Sequence, residues 1–184
     1  MDKIKLTVEL IPSTVFFNNV RSALSQSDWD RLRKESYAKA GNVCEICSDT
    51  GKNQGYRHNV ECHEIWDYNY KTETQRLVGL ISLCPRCHQI KHIGRTFAIG
   101  KQAEAFRHLE KVNKWNHKQV VTYLVECFIE HKKKSKIHWK LDLTILTTNF
   151  GVDKLKISKG SKKKVVVKPF WRKGVRKKSL KKKK

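Results

Sequence analysis

Ile4, Leu6, Val8 and Leu10 alternate with Lys5, Thr7 and Glu9, the period of a half-buried strand, and Pro12 ends the run. Ser13 to Ser25 shows no clear period. Ser27, followed by Asp28 and Asp30, predicts a capped helix from Asp28 to about Ala40 that buries Trp29, Leu32 and Tyr37 and stops at Gly41. Ser48 to Asn59 is polar and glycine-bearing, as an exposed loop would be. Val60 to Trp66 has the composition of a strand, Asp67 to Thr74 that of a turn, and Leu77, Val78, Leu80, Ile81 and Leu83 predict a second strand. Gly94 and Gly100 flank a short linker. Lys101 to about Lys114 predicts a helix with Ala103, Phe106, Leu109 and Val112 inward. Asn116 then caps a helix with an apolar stripe of Val120, Val121, Leu124, Val125, Phe128 and Ile129, closed by Lys132, Lys133 and Lys134 at its negative end. Trp139, Leu141, Leu143 and Ile145 alternate again, and this strand is expected to pair with the N-terminal one. The series predicts an α+β fold.

The chain has 184 residues and a net charge of +23. Residues 154–184 hold 16 Lys or Arg and no acid, while residues 1–153 hold 24 basic and 17 acidic side chains. The expected organisation is one domain over 1–153 and a disordered polycationic tail over 154–184. A polycation gains affinity for nucleic acid by releasing condensed counterions. The tail residues Lys162, Lys163, Lys164, Arg172, Lys173, Arg176, Lys177 and Lys178 are therefore expected nucleic-acid contacts, with DNA as the expected partner and RNA an open alternative. No apolar run is long enough for a bilayer and the N-terminus has no signal-peptide pattern, so a cytoplasmic protein is expected, without a membrane partner.

In a reducing compartment six cysteines point to metal rather than disulfides. Cys44 and Cys47 form one Cys-x-x-Cys pair and Cys84 and Cys87 another, with 36 residues between the two pairs. Four thiolates at that spacing predict one closed, structural zinc site. Cys62 and Cys127 stand alone and are expected to be ordinary buried thiols. His88 and His92, directly after the second pair, fall at i and i+4 and would share a helix face.

Glu61-Cys62-His63-Glu64-Ile65-Trp66, followed by Leu80-Ile81-Ser82-Leu83-Cys84-Pro85-Arg86-Cys87-His88-Gln89-Ile90-Lys91-His92, resembles the HNH endonucleases of the ββα-metal type, with the core match over about residues 43–93. The resemblance implies a ββα-metal module with a zinc knuckle, flanked by helices and by the small strand pair. It also implies a metal-dependent DNA endonuclease in which His63, His88 and His92 hold a catalytic divalent ion such as Mg2+, Mn2+ or Ni2+. Glu64 stands where most members carry a second histidine, and Gly79 about where the family's asparagine falls. The general base is therefore open between two arrangements. In one, His63 is a ligand and Glu64, at a distorted strand end, activates water. In the other, His63 is the base and a carboxylate completes the ion's ligands. Successive strand side chains face opposite ways, so His63 and Glu64 cannot both face the helix unless the strand bulges or ends there. Glu61 shares the face of His63 and is the expected partner of its second ring nitrogen. Arg86, Lys91 and Arg95 are candidate phosphate contacts. A zinc-stabilised nucleic-acid-binding module without catalysis is the alternative reading.

Overall fold

The computed structural model describes residues 4–15, 20–156 and 165–166. Within them the chain is α+β. Seven helices follow in order: α1 Val20–Ala23, α2 Gln26–Lys39, α3 Pro85–Lys91, α4 Ile93–Ala98, α5 Gln102–Asn113, α6 His117–Lys134 and α7 Thr144–Thr148. The strands β1 Glu61–Asn69, β2 Thr74–Leu83, β3 Lys140–Asp142 and β4 Val165–Val166 form one sheet in that order. No helix among the described residues is long and apolar enough to cross a membrane.

The hairpin β1–β2 is the centre of the molecule. It runs antiparallel in register from Glu61 opposite Leu83 to Asn69 opposite Thr74, with a bulge between Ile65 and Trp66. Residues expected to form a broad turn over Asp67 to Thr74 instead extend both strands. The reversal is confined to residues 70–73, where Asn69 Oδ1 accepts the Thr72 N–H and Glu73 takes a positive φ. Pro85 opens α3 directly after β2, where its missing N–H costs nothing and its fixed φ suits the first turn. The result is strand, turn, strand, helix, with the cysteine knuckle at the junction.

Two apolar clusters hold this unit. Leu83, Ile90, Ile93, Leu109 and Val120, all at 0 % exposure, join Leu6 and the knuckle cysteines where α3, α5 and α6 meet. Leu32, Leu77, Leu141, Leu143 and Leu146 pack α2 and α7 against β2 and β3. Each such leucine or isoleucine contributes about 1.5–3 kcal/mol on burial. Helix α6 begins in a capping box, with Asn116 and Gln119 each satisfying the other's backbone N–H.

Several sequence expectations are corrected. The alternating stretch from Ile4 to Leu10 is not a strand, because its backbone groups are met from elsewhere. Leu6 N–H donates to Asn113 Oδ1 (2.9 Å), Val8 N–H to Tyr123 Oη (2.8 Å) and Glu9 N–H to the Lys91 carbonyl (3.1 Å). It is an extended strap across α5, α6 and α3. The expected pair of N- and C-terminal strands is therefore absent among the described residues, and β3 pairs in parallel with β2 instead. Residues 144 and 145 leave the strand because Asp142 Oδ1 accepts the Thr144 N–H and opens α7. The linker between Gly94 and Gly100 is largely the helix α4. Helix α2 starts earlier than expected, with Ser25 rather than Ser27 as its N-cap, the Ser25 hydroxyl accepting the Asp28 N–H. In α5 the inward alanine is Ala105, not Ala103. The α6 stripe splits: Val120 and Leu124 are buried, whereas Val121, Val125 and Ile129 are exposed. Of the expected tail, Lys162, Lys163, Lys164, Arg172, Lys173, Arg176, Lys177 and Lys178 lie outside the described residues, whereas residues 154–156 and the strand β4 lie within them.

Candidate metal centres

The first Cys-x-x-Cys pair lies in tight turns after α2, where Asn42 and Ser48 take positive φ and Cys44 N–H donates to the Asp49 carbonyl (2.9 Å). Glu45 fastens these turns to β2: its N–H donates to the Ser82 carbonyl (3.0 Å), and its Oε1 accepts the Ser82 N–H (2.7 Å). Cys84 is the N-cap of α3, and Cys87 lies in its first turn. The four sulfurs lie within 4.8 Å of one another, with Cys47 at 3.6 Å from both Cys84 and Cys87. Zinc–sulfur bonds of about 2.3 Å in a tetrahedron require sulfur separations near 3.8 Å, so the four thiols fit a metal such as zinc. Sharing of hydrogen bonds with Cys44 and the others pulls the Cys84 thiol down and pushes the Cys87 thiol up. Four such sulfurs ionise together only with a cation between them. His108 of α5, which its position in the sequence did not mark, is buried with Nε2 3.2 Å from Cys87 Sγ. Its N–H would donate to a thiolate there.

The loop between the knuckle and β1 is exposed at Ser48, Lys52, Asn53, Gly55, Arg57 and His58, as expected, and is tied to the start of α3 at Gly51 and Gln54. Asp49 accepts from Thr50 N–H, Asn53 Nδ2 and Gln54 Nε2, and Gln54 Oε1 in turn accepts the Arg86 N–H (3.2 Å). Gly51 N–H donates to the Asn59 carbonyl (2.6 Å), closing the loop against Pro85.

The second centre is built across the hairpin and the helix. His63 projects from β1, His88 from the middle of α3, and His92 from its C-terminal cap, where the His92 N–H donates to the His88 carbonyl (3.2 Å). Each histidine offers a nitrogen within 4.8 Å of the others. The Nε2 atoms of His88 and His92 are 3.2 Å apart. Metal–nitrogen bonds of about 2.0–2.1 Å separate neighbouring ligands by roughly 3.0–3.4 Å, so this spacing fits a shared ion.

Carboxylates hold two of the three rings. Glu61 Oε2 contacts His88 Nδ1, and its Oε1 lies 2.7 Å from His58 Nε2. The bond to His88, working against burial and aided by His58, holds the Glu61 carboxyl below its usual range. Glu61 thus serves His88 rather than His63, contrary to expectation. Glu9 Oε2 lies 3.1 Å from His63 Nε2 instead. Burial tends to raise the Glu9 carboxyl, but His63 and Lys91 outweigh it and the group is held low. His63 is 2 % exposed, and its Nδ1 is buried without a hydrogen-bond partner among the described residues, the ring's uncommitted nitrogen. Burial, reinforced by His88 and His63, pushes His92 down to about 3, which leaves it a neutral donor at neutral pH.

Glu64 is not brought to this cluster. The register is regular through Glu64 opposite Leu80, and the bulge falls one step too late to turn it. Glu64 shares the opposite face with Cys62, whose thiol is pushed up to about 12 by burial and then by Glu64, beside Ser36 and Arg33 of α2. Lys91 is also placed differently from the expectation. It is 5 % exposed, and its ammonium donates to Thr7 Oγ1 (2.8 Å) and Glu9 Oε1 (2.7 Å), so it does not face an external phosphate. Arg86 and Arg95 are exposed. Arg95, His92, Glu9, Leu10, Ile11 and Phe128 are among the walls of a cavity of about 600 Å³ next to the histidines. No family model, curated protein or solved structure matches this chain, and the two centres stand on their own geometry.

Proposed function

We propose that the chain is a metal-dependent DNA endonuclease of the HNH type, hydrolysing phosphodiester bonds at a single divalent ion beside a structural zinc. The observation that carries this reading is the convergence of His63, His88 and His92 from a hairpin and the helix that follows it. His63, His88 and His92 would hold the ion. Bound there, a divalent ion supplies Lewis acidity toward a phosphate oxygen and toward water. Glu61 fixes the His88 ring and Glu9 the His63 ring, so the donor atoms are held before any ion arrives. The knuckle cysteines anchor the front of α3, and with it the spacing of His88 and His92 from β1. The exposed Arg86 and Arg95 are the phosphate contacts in this reading. The basic tail supplies grip that is indifferent to sequence.

The position of Glu64 favours a second reading, a metal-stabilised nucleic-acid-binding module without catalysis. With Glu64 turned toward α2, the centre has no carboxylate at the place where the resemblance puts its base. Nicking of supercoiled plasmid by the zinc-loaded protein in Mg2+, Mn2+ or Ni2+, beside His63→Ala and His88→Ala, separates the two. The nuclease reading expects metal-dependent nicking that both substitutions abolish. DNA binding without nicking under every metal establishes the binding module instead.

A further inference from the structure

The β1–β2–α3 unit supplies three histidines but no anion that faces all of them. Among the described residues, the carboxylate in contact with the buried His63 comes from far away in the chain, on the N-terminal strap. That strap is fastened at three successive points, Leu6 to Asn113, Val8 to Tyr123 and Glu9 to the Lys91 carbonyl. The Glu9 carboxylate is therefore held from both sides, one oxygen on Lys91 Nζ (2.7 Å) and the other on His63 Nε2 (3.1 Å).

We propose that Glu9, brought in from outside the β–β–α unit, is the anionic member of the divalent-ion centre, a positioning residue that orients His63 and strengthens ion binding through its charge. This rests on the reading of His63, His88 and His92 as that centre. An observation independent of that contact supports it. The Glu9 bond to Nε2 leaves Nδ1 of a histidine that is 2 % exposed, buried and unpartnered, and a buried polar atom of that kind points to a ligand. Lys91 shares the same carboxylate, so its ammonium opposes the ion that Glu9 favours. The strap thus carries one partner that helps the ion and meets another that restrains it.

A structural explanation competes: Glu9 could serve only to neutralise the buried Lys91. Three variants of the full chain distinguish the two, with Ni2+ titrated calorimetrically into zinc-loaded protein and folding followed by circular dichroism. Glu9→Gln is expected to weaken Ni2+ binding about 10–100-fold, the usual effect of losing a carboxylate behind a histidine ligand. Lys91→Met, which leaves Glu9 unopposed, is expected to bind Ni2+ at least as tightly as wild type. In the double variant Glu9→Gln/Lys91→Met no buried charge is left unpaired, so a folding defect is removed, yet binding is expected to stay weak. Wild-type affinity in Glu9→Gln, or its return in the double variant, overturns the proposal. His88→Ala tests the underlying reading separately: if it binds Ni2+ like wild type, the histidine centre itself is wrong, whatever Glu9 does.

Discussion

Gly51→Ala should destabilise the protein far more than its backbone angles suggest. Gly51 has an ordinary helical conformation, with φ −64° and ψ −32°, which any residue adopts freely. Space is the constraint. A Cβ at this position would stand 2.1 Å from the His58 carbonyl oxygen and 2.9 Å from Pro85 Cδ, and both are rigid parts of the chain. Real contacts of a Cβ begin near 3 Å, so either the Gly51–Asn59 bond breaks or the loop lifts off the start of α3. Overpacking of a tight site costs about 1–3 kcal/mol and occasionally more; with backbone as the obstacle the upper end applies. At about 2–4 °C per kcal/mol for a chain of this size, a 3 kcal/mol loss lowers Tm by roughly 6–12 °C. Gly55→Ala is the control. Gly55 has φ +86° but nothing within 4 Å of its added Cβ. Its cost is backbone strain of about 1–2 kcal/mol, or roughly 2–8 °C. Thermal melts of the zinc-loaded proteins by circular dichroism make the comparison. A drop in Gly51→Ala smaller than that in Gly55→Ala would refute the idea that loop packing against Pro85, rather than chain conformation, governs this junction.

Other outcomes follow from the same geometry. Cys87→Ser should abolish zinc binding and with it the cooperative melt, because apparent zinc affinities of about 10–16 kcal/mol match or exceed a domain's whole stability; a zinc-free protein with an unchanged melt would contradict this. Glu64→Gln should leave Ni2+ affinity unchanged in calorimetry, since its carboxylate lies on the Cys62 face, and a loss above threefold would place it at the centre after all. Stability of the nickel-free protein should fall as pH is lowered from about 6.5 toward 3, by at most about 1.4 kcal/mol per unit for each group. The sign follows from His92, Glu9 and Glu61, all held below their ordinary values: the unfolded chain takes up protons first, so folding is undisturbed above the unfolded pKa and weakened below it. Urea titrations across that range test it, and a flat profile would count against these environments. Deleting residues 154–184 removes 16 positive charges and should flatten the salt dependence of DNA affinity; an unchanged slope in fluorescence anisotropy would deny the tail its role.

The parts of the chain that could be read directly are those whose chemistry is local. Two Cys-x-x-Cys pairs announce their own geometry, and His88 and His92 meet because a helix brings positions four apart together. The hairpin was legible from composition, although its strands run further because Asn69 and Glu73 make a tighter turn than a polar stretch implies. The failures share a cause. Alternation from Ile4 to Leu10 describes an extended chain, not its partner, and here side chains of Asn113 and Tyr123 took the place of a neighbouring strand. Glu9 lay on the polar side of that alternation, so its inward role could be seen only once Lys91 and His63 were placed. Lys91 looked like a free cation on a basic chain, whereas burial beside Glu9 makes it an internal one. His108 reaches Cys87 from 21 residues away, through helix packing that no spacing rule encodes.

The strap also sets an order of events during synthesis. Its first tie joins Leu6 to a residue 107 positions later, and its second joins Val8 to one 115 positions later. A ribosome releases the chain from its N-terminus, so the knuckle between Cys44 and Cys87 can take up zinc while the strap still has nowhere to dock. Closing so long a loop comes late. Only when α6 has emerged are all three ties of the strap available, so the histidine centre is completed after the knuckle, while β3 and α7 have still to follow.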